Sequence, residues 1–245
     1  MLVWLVIGAC GLAVERMSDP NERATIYVGA GAVISSQPYD GTDFRTYPIP
    51  IFGYEGKRLY LRGITGGYRL FMGKSWSVGP VVQPRFDGYE EDDSSALAGM
   101  DDRNVSLDAG VGLSWRTDYG LLEASVVTDL LGEHDGQQIE LSWTGLFSWK
   151  RWDFIPSAGV RFKSTNLVEY YYGVEPGEAL ATRPAYAPDR AVDPFVRLAV
   201  RRELTERWSL LTALQYEWLD SEIRDSPIVD DNYDLSIMGG VMYSF

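Results

Sequence analysis

The residue types that could carry catalysis are scarce in this chain, and the first candidate is its single histidine. His134 lies in the stretch GEHDG, where Glu133 and Asp135 flank it. A histidine beside carboxylates can serve as a general acid or base, but a hydrolase also needs a nucleophile next to that base. The sequence contains no G-x-S-x-G motif, and the Asp-Gly pair after His134 is a hairpin signal. We therefore interpret His134 as a turn residue and predict neither enzymatic activity nor a cofactor.

A second candidate site is the acidic stretch DGYEEDDSSALAGMDDR at 87–103. Clustered carboxylates favour hard cations such as Ca²⁺, which makes Asp92, Asp93, Asp101 and Asp102 weak candidates for divalent-cation ligands. Their spacing differs from the ligand order of an EF-hand loop. A solvated acidic loop is the preferred interpretation, and divalent ions that bridge it to lipopolysaccharide phosphates are the alternative.

These loops need elements to hold them, and hydrophobic periodicity indicates strands almost throughout residues 24–245. In 137–150, QQIELSWTGLFSWK, apolar side chains alternate with polar ones, and only Leu146 breaks the order. Successive side chains of a strand point to opposite faces, so such a segment has one apolar and one polar side. The same pattern recurs over 105–115, 122–130, 152–163, 192–201, 208–218 and 233–245.

The length of these segments favours a membrane barrel over a soluble sandwich. Soluble strands average ~5 to 6 residues, whereas a strand that crosses a bilayer at a tilt needs ~9 to 11. No run reaches the ~20 apolar residues of a spanning helix, and a mean hydropathy of −0.16 suits alternating strands. The sequence predicts an all-β fold, a single antiparallel transmembrane β-barrel with short periplasmic turns and long extracellular loops.

The number of strands follows from a count of these segments. Eleven are predicted, at 24–35, 43–55, 57–71, 74–86, 103–116, 119–131, 137–150, 152–164, 191–203, 206–220 and 232–245. A chain with both ends in the periplasm must cross an even number of times. A break at GITGG divides 57–71 and gives twelve strands, and ten is the alternative if part of 43–71 lies outside the wall. A short helical turn is conceivable near 174–182.

Charges of both signs lie on the polar faces of the strands. They include Asp108, Asp129, Glu140, Asp153, Asp193 and Glu217 with Arg161, Lys163, Arg197 and Arg201. Unpaired charges inside a narrow barrel are costly, so we expect opposite signs to pair across the interior. Such pairing favours a structural wall over a selective pore.

Composition and the two ends of the sequence add further predictions. The formal net charge of −13 argues against nucleic acid as a partner. The apolar run near the start predicts a signal peptide or signal remnant over residues 1–23 and a barrel domain over 24–245, and VIGAC leaves lipidation of Cys10 as an alternative. The sequence ends in MGGVMYSF, in which Gly240, Tyr243 and Phe245 match the C-terminal assembly signal of bacterial outer-membrane proteins. That match implies the barrel-assembly machinery as a partner.

Five long stretches carry a resemblance to a known family. They are GAGAVISSQPYDGTDFRTYPIPIFGYEG (29–56), GPVVQPRFDGYE (79–90), HDGQQIELSW (134–143), YYYGVEPGEA (170–179) and SPIVDDNYDLSIMGGVMYSF (226–245). In this order they resemble the MipA/OmpV family of MltA-interacting proteins, over roughly 24–245. The resemblance implies an outer-membrane barrel without catalysis. The family's type member is described as a scaffold that joins a lytic transglycosylase to a penicillin-binding murein synthase.

From the residues and the resemblance together, we predict a non-enzymatic scaffold or interaction protein of the bacterial outer membrane. The expected partners are outer-membrane lipid and lipopolysaccharide, with a lytic transglycosylase and a penicillin-binding protein implied by the resemblance. A small-solute pore or transporter and a surface adhesin are the alternative functions.

Overall fold

The computed structural model describes residues 24–42 and 44–245, which form a closed antiparallel barrel of twelve crossings. The predicted signal segment 1–23 and Cys10 lie outside the described residues. The ring closes because β1 (Thr25–Ser35) pairs with β2 (Arg45–Glu55) on one side and with β14 (Tyr233–Ser244) on the other. The all-β fold and the strand number of twelve are confirmed.

The other strands follow in chain order around the ring. They are β3 (Leu59–Arg62), β4 (Thr65–Tyr68), β5 (Phe71–Met72), β6 (Trp76–Arg85), β7 (Ser106–Thr117), β8 (Gly120–Asp129), β9 (Gln137–Thr144), β10 (Phe147–Trp149), β11 (Trp152–Lys163), β12 (Ala191–Glu203) and β13 (Trp208–Trp218). Two crossings are interrupted, so β4 with β5, and β9 with β10, each count as one. Ten crossings is wrong because both halves of the predicted segment 57–71 lie in the wall.

The apolar sides of the strands face outward, as the periodicity predicts. In β14, Asp234, Ser236 and Met238 are buried in the interior, whereas Ile237 and Val241 are exposed on the outer surface. The same alternation runs through β7, where Val111 and Leu113 are exposed. An outer surface of this kind suits hydrocarbon, because it needs no polar partner.

Short and long connections lie at opposite ends of the barrel. The turns at 56–58, 73–75, 118–119, 150–151 and 204–207 form the periplasmic end, and the long loops at 86–105, 164–190 and 219–232 lie at the extracellular end. Exposed tryptophans lie beside the periplasmic turns, and neighbours come together across the strands. Trp76 pairs with Trp115, and Trp149 pairs with Trp152. These residues form one rim of an aromatic girdle.

The loops contain two short helices, α1 (Thr165–Tyr172) and α2 (Ser221–Arg224). The segment 174–182, considered for a helical turn, follows α1 and contains one hydrogen-bonded turn, in which the Glu178 amide donates to the Glu175 carbonyl at 2.9 Å. Leu167, Val168, Tyr171 and Tyr172 are spaced to share one buried face of α1. In the described part of the chain, neither helix has the length and apolar character that a membrane-spanning helix needs.

One hairpin of the wall is much shorter than its neighbours. β3 and β4 have four residues each and are joined at Gly63 and Ile64. β2 has eleven residues but pairs with β3 only through Gly53, Tyr54 and Glu55. Among residues 24–42 and 44–245, the upper part of β2, toward the extracellular end, therefore has no neighbour in the wall on its β3 side.

Candidate functional site

Paired charges fill much of the barrel interior. Lys163 Nζ lies 2.6 Å from Asp193 Oδ2, and Arg201 Nη2 lies 2.6 Å from Asp153 Oδ2. Arg161 contacts Glu140 at 2.8 Å and also forms an ion pair with Glu217. The predicted pairing of opposite signs is thus present, and pairs of this kind persist in a narrow interior because each charge has a partner.

His134 lies in the connection between β8 and β9, with its ring buried in the interior. Its Nδ1 accepts a hydrogen bond from the Gly136 amide at 3.0 Å, so the Nε2 proton is the one directed at Asp108 Oδ1, 3.1 Å away. Asp129 completes a group of three potential metal ligands with Asp108 and His134. Asp129 already accepts the backbone amides of His134 and Asp135, at 2.7 and 3.1 Å. The group therefore reads as a structural network that fastens the turn to the wall.

The four weak cation candidates are not gathered into one ligand set in the described residues. Asp93 forms an ion pair with Arg45, and Asp102 accepts the Glu91 amide at 2.9 Å. The Asp101 amide donates to Glu178 at 2.9 Å, while Asp92 is exposed. Their positions favour roles within the loop or in water over ligation of a shared ion.

The extracellular loops form a packed apolar cluster, here called the loop cap. It combines Tyr39, Tyr89, Leu97 and Met100 with the buried face of α1, and with Leu219, Ile223 and Ile228 from the last loop. Tyr39 stacks on Tyr172 with ring centroids 5.9 Å apart. The tyrosines at 170–172 therefore pack within the loops.

A buried ion pair fastens the loop cap. Arg103 donates from Nη2 to both Glu178 oxygens, at 2.9 and 3.0 Å, and from Nε to the Tyr170 carbonyl at 2.7 Å. Burial alone would raise the pKa of the Glu178 carboxyl. The hydrogen bonds from the Glu175 and Asp101 amides and the charge of Arg103 outweigh that effect, so the pKa of Glu178 is lowered.

Beside the loop cap lies a cavity of about 670 Å³. Tyr39, Tyr89 and Tyr172 form its inner side, and Asp234 lies at its floor. Its outer side coincides with the missing upper wall above the β3–β4 hairpin. We call this cavity the chamber.

Four features frame the opening of the chamber toward the membrane. Upper β2 forms one side through Tyr47, Ile49 and Pro50, and Phe86 stands on the other side just after β6. Gly63 and Ile64, at the hairpin tip, form the sill. The ion pair between Arg45 and Asp93 spans the top. We call this framed opening the lateral window.

The two ends of the barrel differ in charge. In the described part of the chain, the exposed basic residues at the periplasmic end are Lys57, Arg58, Lys74, Arg116, Lys150, Arg151, Arg202 and Arg207, and the exposed acids there are Asp118, Glu203 and Glu206. Within the same described residues, the exposed acids at the extracellular end are Asp40, Glu90, Glu91, Asp92, Asp101, Asp102, Asp135, Glu169, Glu175, Asp189, Asp225 and Asp230, and the exposed basic residues are Arg190 and Arg224. The periplasmic rim therefore favours acidic partners, and the outer face favours cationic ones.

The residues of the predicted assembly signal lie together at the periplasmic end of β14. The Phe245 side chain is 76 % exposed on the outside, and its ring contacts that of Tyr243 at 4.9 Å. Recognition by the assembly machinery stays a prediction. Sequence reasoning missed the chamber altogether, because its walls come from seven separate segments. The prolines of TYPIPIF were the available signal, since proline is rare inside a fully paired sheet.

The fold, the outward apolar surface and the charge-filled interior define the class of the protein as an outer-membrane β-barrel. The family described as MltA-interacting protein MipA matches residues 28–245, and the chain belongs to that family. It is 29% identical over 221 residues to a protein named MltA-interacting protein from Escherichia coli K12, covering 89% of each chain. It is 31% identical over 222 residues to the putative outer membrane protein YiaT of the same organism, covering 89% of this chain and 90% of that one.

More distant relatives carry outer-membrane names as well. The chain is 27% identical over 198 residues to the outer membrane protein OmpV of Vibrio cholerae, covering 79% and 76% of the two chains. Among solved structures, the outer membrane channel DcaP of Acinetobacter baumannii aligns with a TM-score of 0.43 at 9% identity, covering 91% and 96%. The relatives are named as interaction or outer-membrane proteins and not as enzymes, and the predicted location in the outer membrane is confirmed.

Proposed function

We propose that this protein is a non-catalytic anchor in the outer membrane for enzymes that act on murein. The observation that carries the proposal is the basic periplasmic rim. Of the residues that the structure describes, eight exposed basic side chains and three exposed acids lie there, beside the tryptophans of the periplasmic turns. A periplasmic enzyme with an acidic surface would be attracted to this rim and held at the membrane.

Two further observations support an anchor. A relative that is 29% identical to the chain is named for its interaction with MltA, which makes a lytic transglycosylase the first partner to test and a penicillin-binding protein the second. The paired charges of the interior also fit a wall better than a path for solutes. Contacts through the rim need no long periplasmic domain, so the short turns are compatible with this role.

Site-directed photo-crosslinking in intact envelopes tests the proposal. A photoreactive residue at Lys150, in a periplasmic turn, is expected to capture a murein enzyme that mass spectrometry can identify. The same residue at Asp189, in an extracellular loop, is the matched control and is expected to capture none. The proposal fails if both positions give the same set of proteins.

Charge reversal tests the rim itself. Lys57→Glu combined with Lys74→Glu is expected to reduce capture, whereas Lys57→Arg combined with Lys74→Arg keeps the charge and is expected to preserve it. Raised ionic strength is expected to weaken capture in the same direction, because exposed charges are screened by salt. Capture that ignores both the reversal and the salt would contradict an electrostatic dock.

A further inference from the structure

The edge strands of the lateral window are built to remain unpaired. The Gly63 amide donates to the Phe52 carbonyl at 3.0 Å, so the backbone polar groups of Phe52 point toward β3. Backbone direction alternates along an antiparallel strand, so the backbone nitrogens of Pro50 and Pro48 point to the same side. That side is the lateral window, because β2 pairs with β3 only from Gly53 onward.

On the opposite edge of the lateral window, β6 also has a proline whose backbone nitrogen faces the opening, close to the tip of the β3–β4 hairpin. The Gly73 amide donates to the Trp76 carbonyl at 2.8 Å, which sets the direction of the even-numbered residues of β6. Pro84 shares that direction and faces the hairpin tip. Proline has no backbone N–H. Pro48, Pro50 and Pro84 therefore present no backbone N–H to the apolar opening, where such a donor would have no acceptor.

The opening is large enough for a hydrocarbon chain. Seven residues of β2, 45–51, border it, which is about 20 Å of strand at ~3.4 Å per residue. At this height β3 and β4 are absent from the wall between β2 and β6. The width of the opening is therefore three inter-strand spacings, about 14 Å in total. The chamber behind it, at about 670 Å³, falls within the range of small-molecule sites.

The lining of the window is continuous with the apolar belt of the barrel. Ile64, Phe86 and Val105 line the chamber and are also exposed on the outer surface. Ile49 and Tyr47 continue the apolar path inward from β2. An acyl chain from the surrounding leaflet could thus enter without crossing a polar barrier.

Charge at the chamber selects among lipid head groups. Asp87, Glu90, Asp93, Asp102 and Asp234 line the chamber. Arg85 pairs with Asp87 at 2.8 Å and Arg45 forms an ion pair with Asp93, so the exposed acids Glu90 and Asp102 carry the negative charge at the chamber. Lipopolysaccharide phosphates would meet this acidic surface unfavourably, whereas an ammonium group would be attracted to it. Arg45 at the top of the window is placed for the phosphate of a zwitterionic lipid.

We propose that the chamber binds a zwitterionic aminophospholipid, with one acyl chain inserted through the lateral window and its ammonium group against the exposed acids Glu90 and Asp102. The site is independent of the periplasmic rim and lies on the other side of the membrane.

Photoactivatable lipids test this binding in the full-length protein reconstituted into liposomes. The probe is phosphatidylethanolamine with a diazirine in its acyl chain, and phosphatidylglycerol with the same chains is the head-group control. We expect the ethanolamine lipid to label Tyr47 or Ile49, which face inward, and to do so more than the glycerol lipid. Phe195, which is buried in the interior behind a complete part of the wall, is the internal control and should stay unlabelled.

The head-group preference has its own variant. Glu90→Gln with Asp102→Asn removes two exposed charges at the chamber, and we expect the preference for ethanolamine to fall by roughly two- to fivefold. Glu175→Gln, an exposed acid on another loop, is the matched control and should leave the preference unchanged. Labelling confined to outward residues such as Phe52, or equal labelling by the two lipids, overturns the proposal.

Discussion

Arg161 shows how a single residue depends on its partners inside the barrel. Its guanidinium is 1 % exposed and contacts two carboxylates, Glu140 and Glu217. Lys163 is a more distant cation for Glu217, at 3.6 Å. Such a network can contribute little more to the free energy of unfolding than apolar residues of similar volume would. The loss of one member, however, leaves a buried charge without compensation.

We therefore expect Arg161→Leu to lower the free energy of unfolding by about 3–5 kcal/mol. The measurement is urea-induced unfolding in liposomes, followed by tryptophan fluorescence. Arg190→Leu, in an exposed loop, is the control, and its effect should stay within about 0.5 kcal/mol. A loss below about 1 kcal/mol for Arg161→Leu would show that the carboxylates find other partners.

Glu178 makes the loop cap sensitive to acid. Its pKa in the folded protein is lowered from the usual 4.5, so its contribution to stability is fully present above that value. The contribution is lost as the pH falls from about 4.5 through the lowered folded pKa. We expect cleavage of 173–190 by pepsin to accelerate over this interval.

The variant Glu178→Gln separates this effect from general acid unfolding. It should already be cleaved rapidly at pH 4.5 and should change little at lower pH, because the titrating group is gone. Glu175→Gln should behave as the unmodified protein does. If the Glu178→Gln profile keeps the same acid dependence, another carboxyl controls the loop cap.

At the scale of elements, the prolines of β2 divide the strand into a paired and an unpaired part. Pro50 faces the lateral window, whereas Pro156 lies in β11 opposite Gly145, whose amide donates to the Pro156 carbonyl at 2.9 Å. Replacement of either proline adds one backbone N–H. Only at position 156 does that donor meet a strand neighbour.

We expect Pro50→Val to destabilise the barrel by about 1–3 kcal/mol, the cost of a buried donor without an acceptor. Pro156→Val should be neutral or slightly stabilising, since the new donor faces a strand partner. Urea titration of both variants in the same liposomes gives the comparison. Equal effects would mean that upper β2 is paired or hydrated, contrary to an apolar window.

At the scale of the whole molecule, two packed apolar regions lie along the barrel axis. The loop cap covers the extracellular mouth, and a second apolar cluster that includes Tyr27, Ile51, Leu211 and Met238 fills the interior. The charge network lies in the same interior. Removal of one region would therefore leave the others in place.

We accordingly expect no steady single-channel openings in planar bilayers, either for the intact protein or after deletion of 174–188 from the loop cap. Steady openings of the intact protein would favour the pore alternative over the anchor. Openings that appear only after the deletion would assign the closure to the loop cap alone.

The wall of the barrel was predictable from sequence because alternation is a local property. Each segment such as 105–115 shows its own apolar side, and GITGG shows the break that brings the count to twelve. The position of α1 and the partners of His134 were not predictable. They depend on contacts such as Asp108 with His134, whose residues come from different strands and loops. The chamber was not predictable for the same reason, because residues from distant segments line it. Its opening also depends on the four-residue length of β3 and β4, which the sequence pattern did not show.

Pairing of β1 with β14 closes the barrel, and we expect stable insertion into the membrane to require this closure. These strands are far apart in the chain, yet nine residue pairs join them, including Gly31 with Gly240. A Cβ on Gly31 would lie 2.4 Å from the Gly239 carbonyl oxygen, so the two strands approach too closely there for a side chain. Until this seam forms, the backbone N–H and C=O groups along the edges of β1 and β14 have no hydrogen-bond partners in the hydrocarbon. We therefore expect insertion to be all-or-none. A chain that is truncated before β14 cannot form the seam, and we expect it to be degraded instead of inserting as a partial barrel.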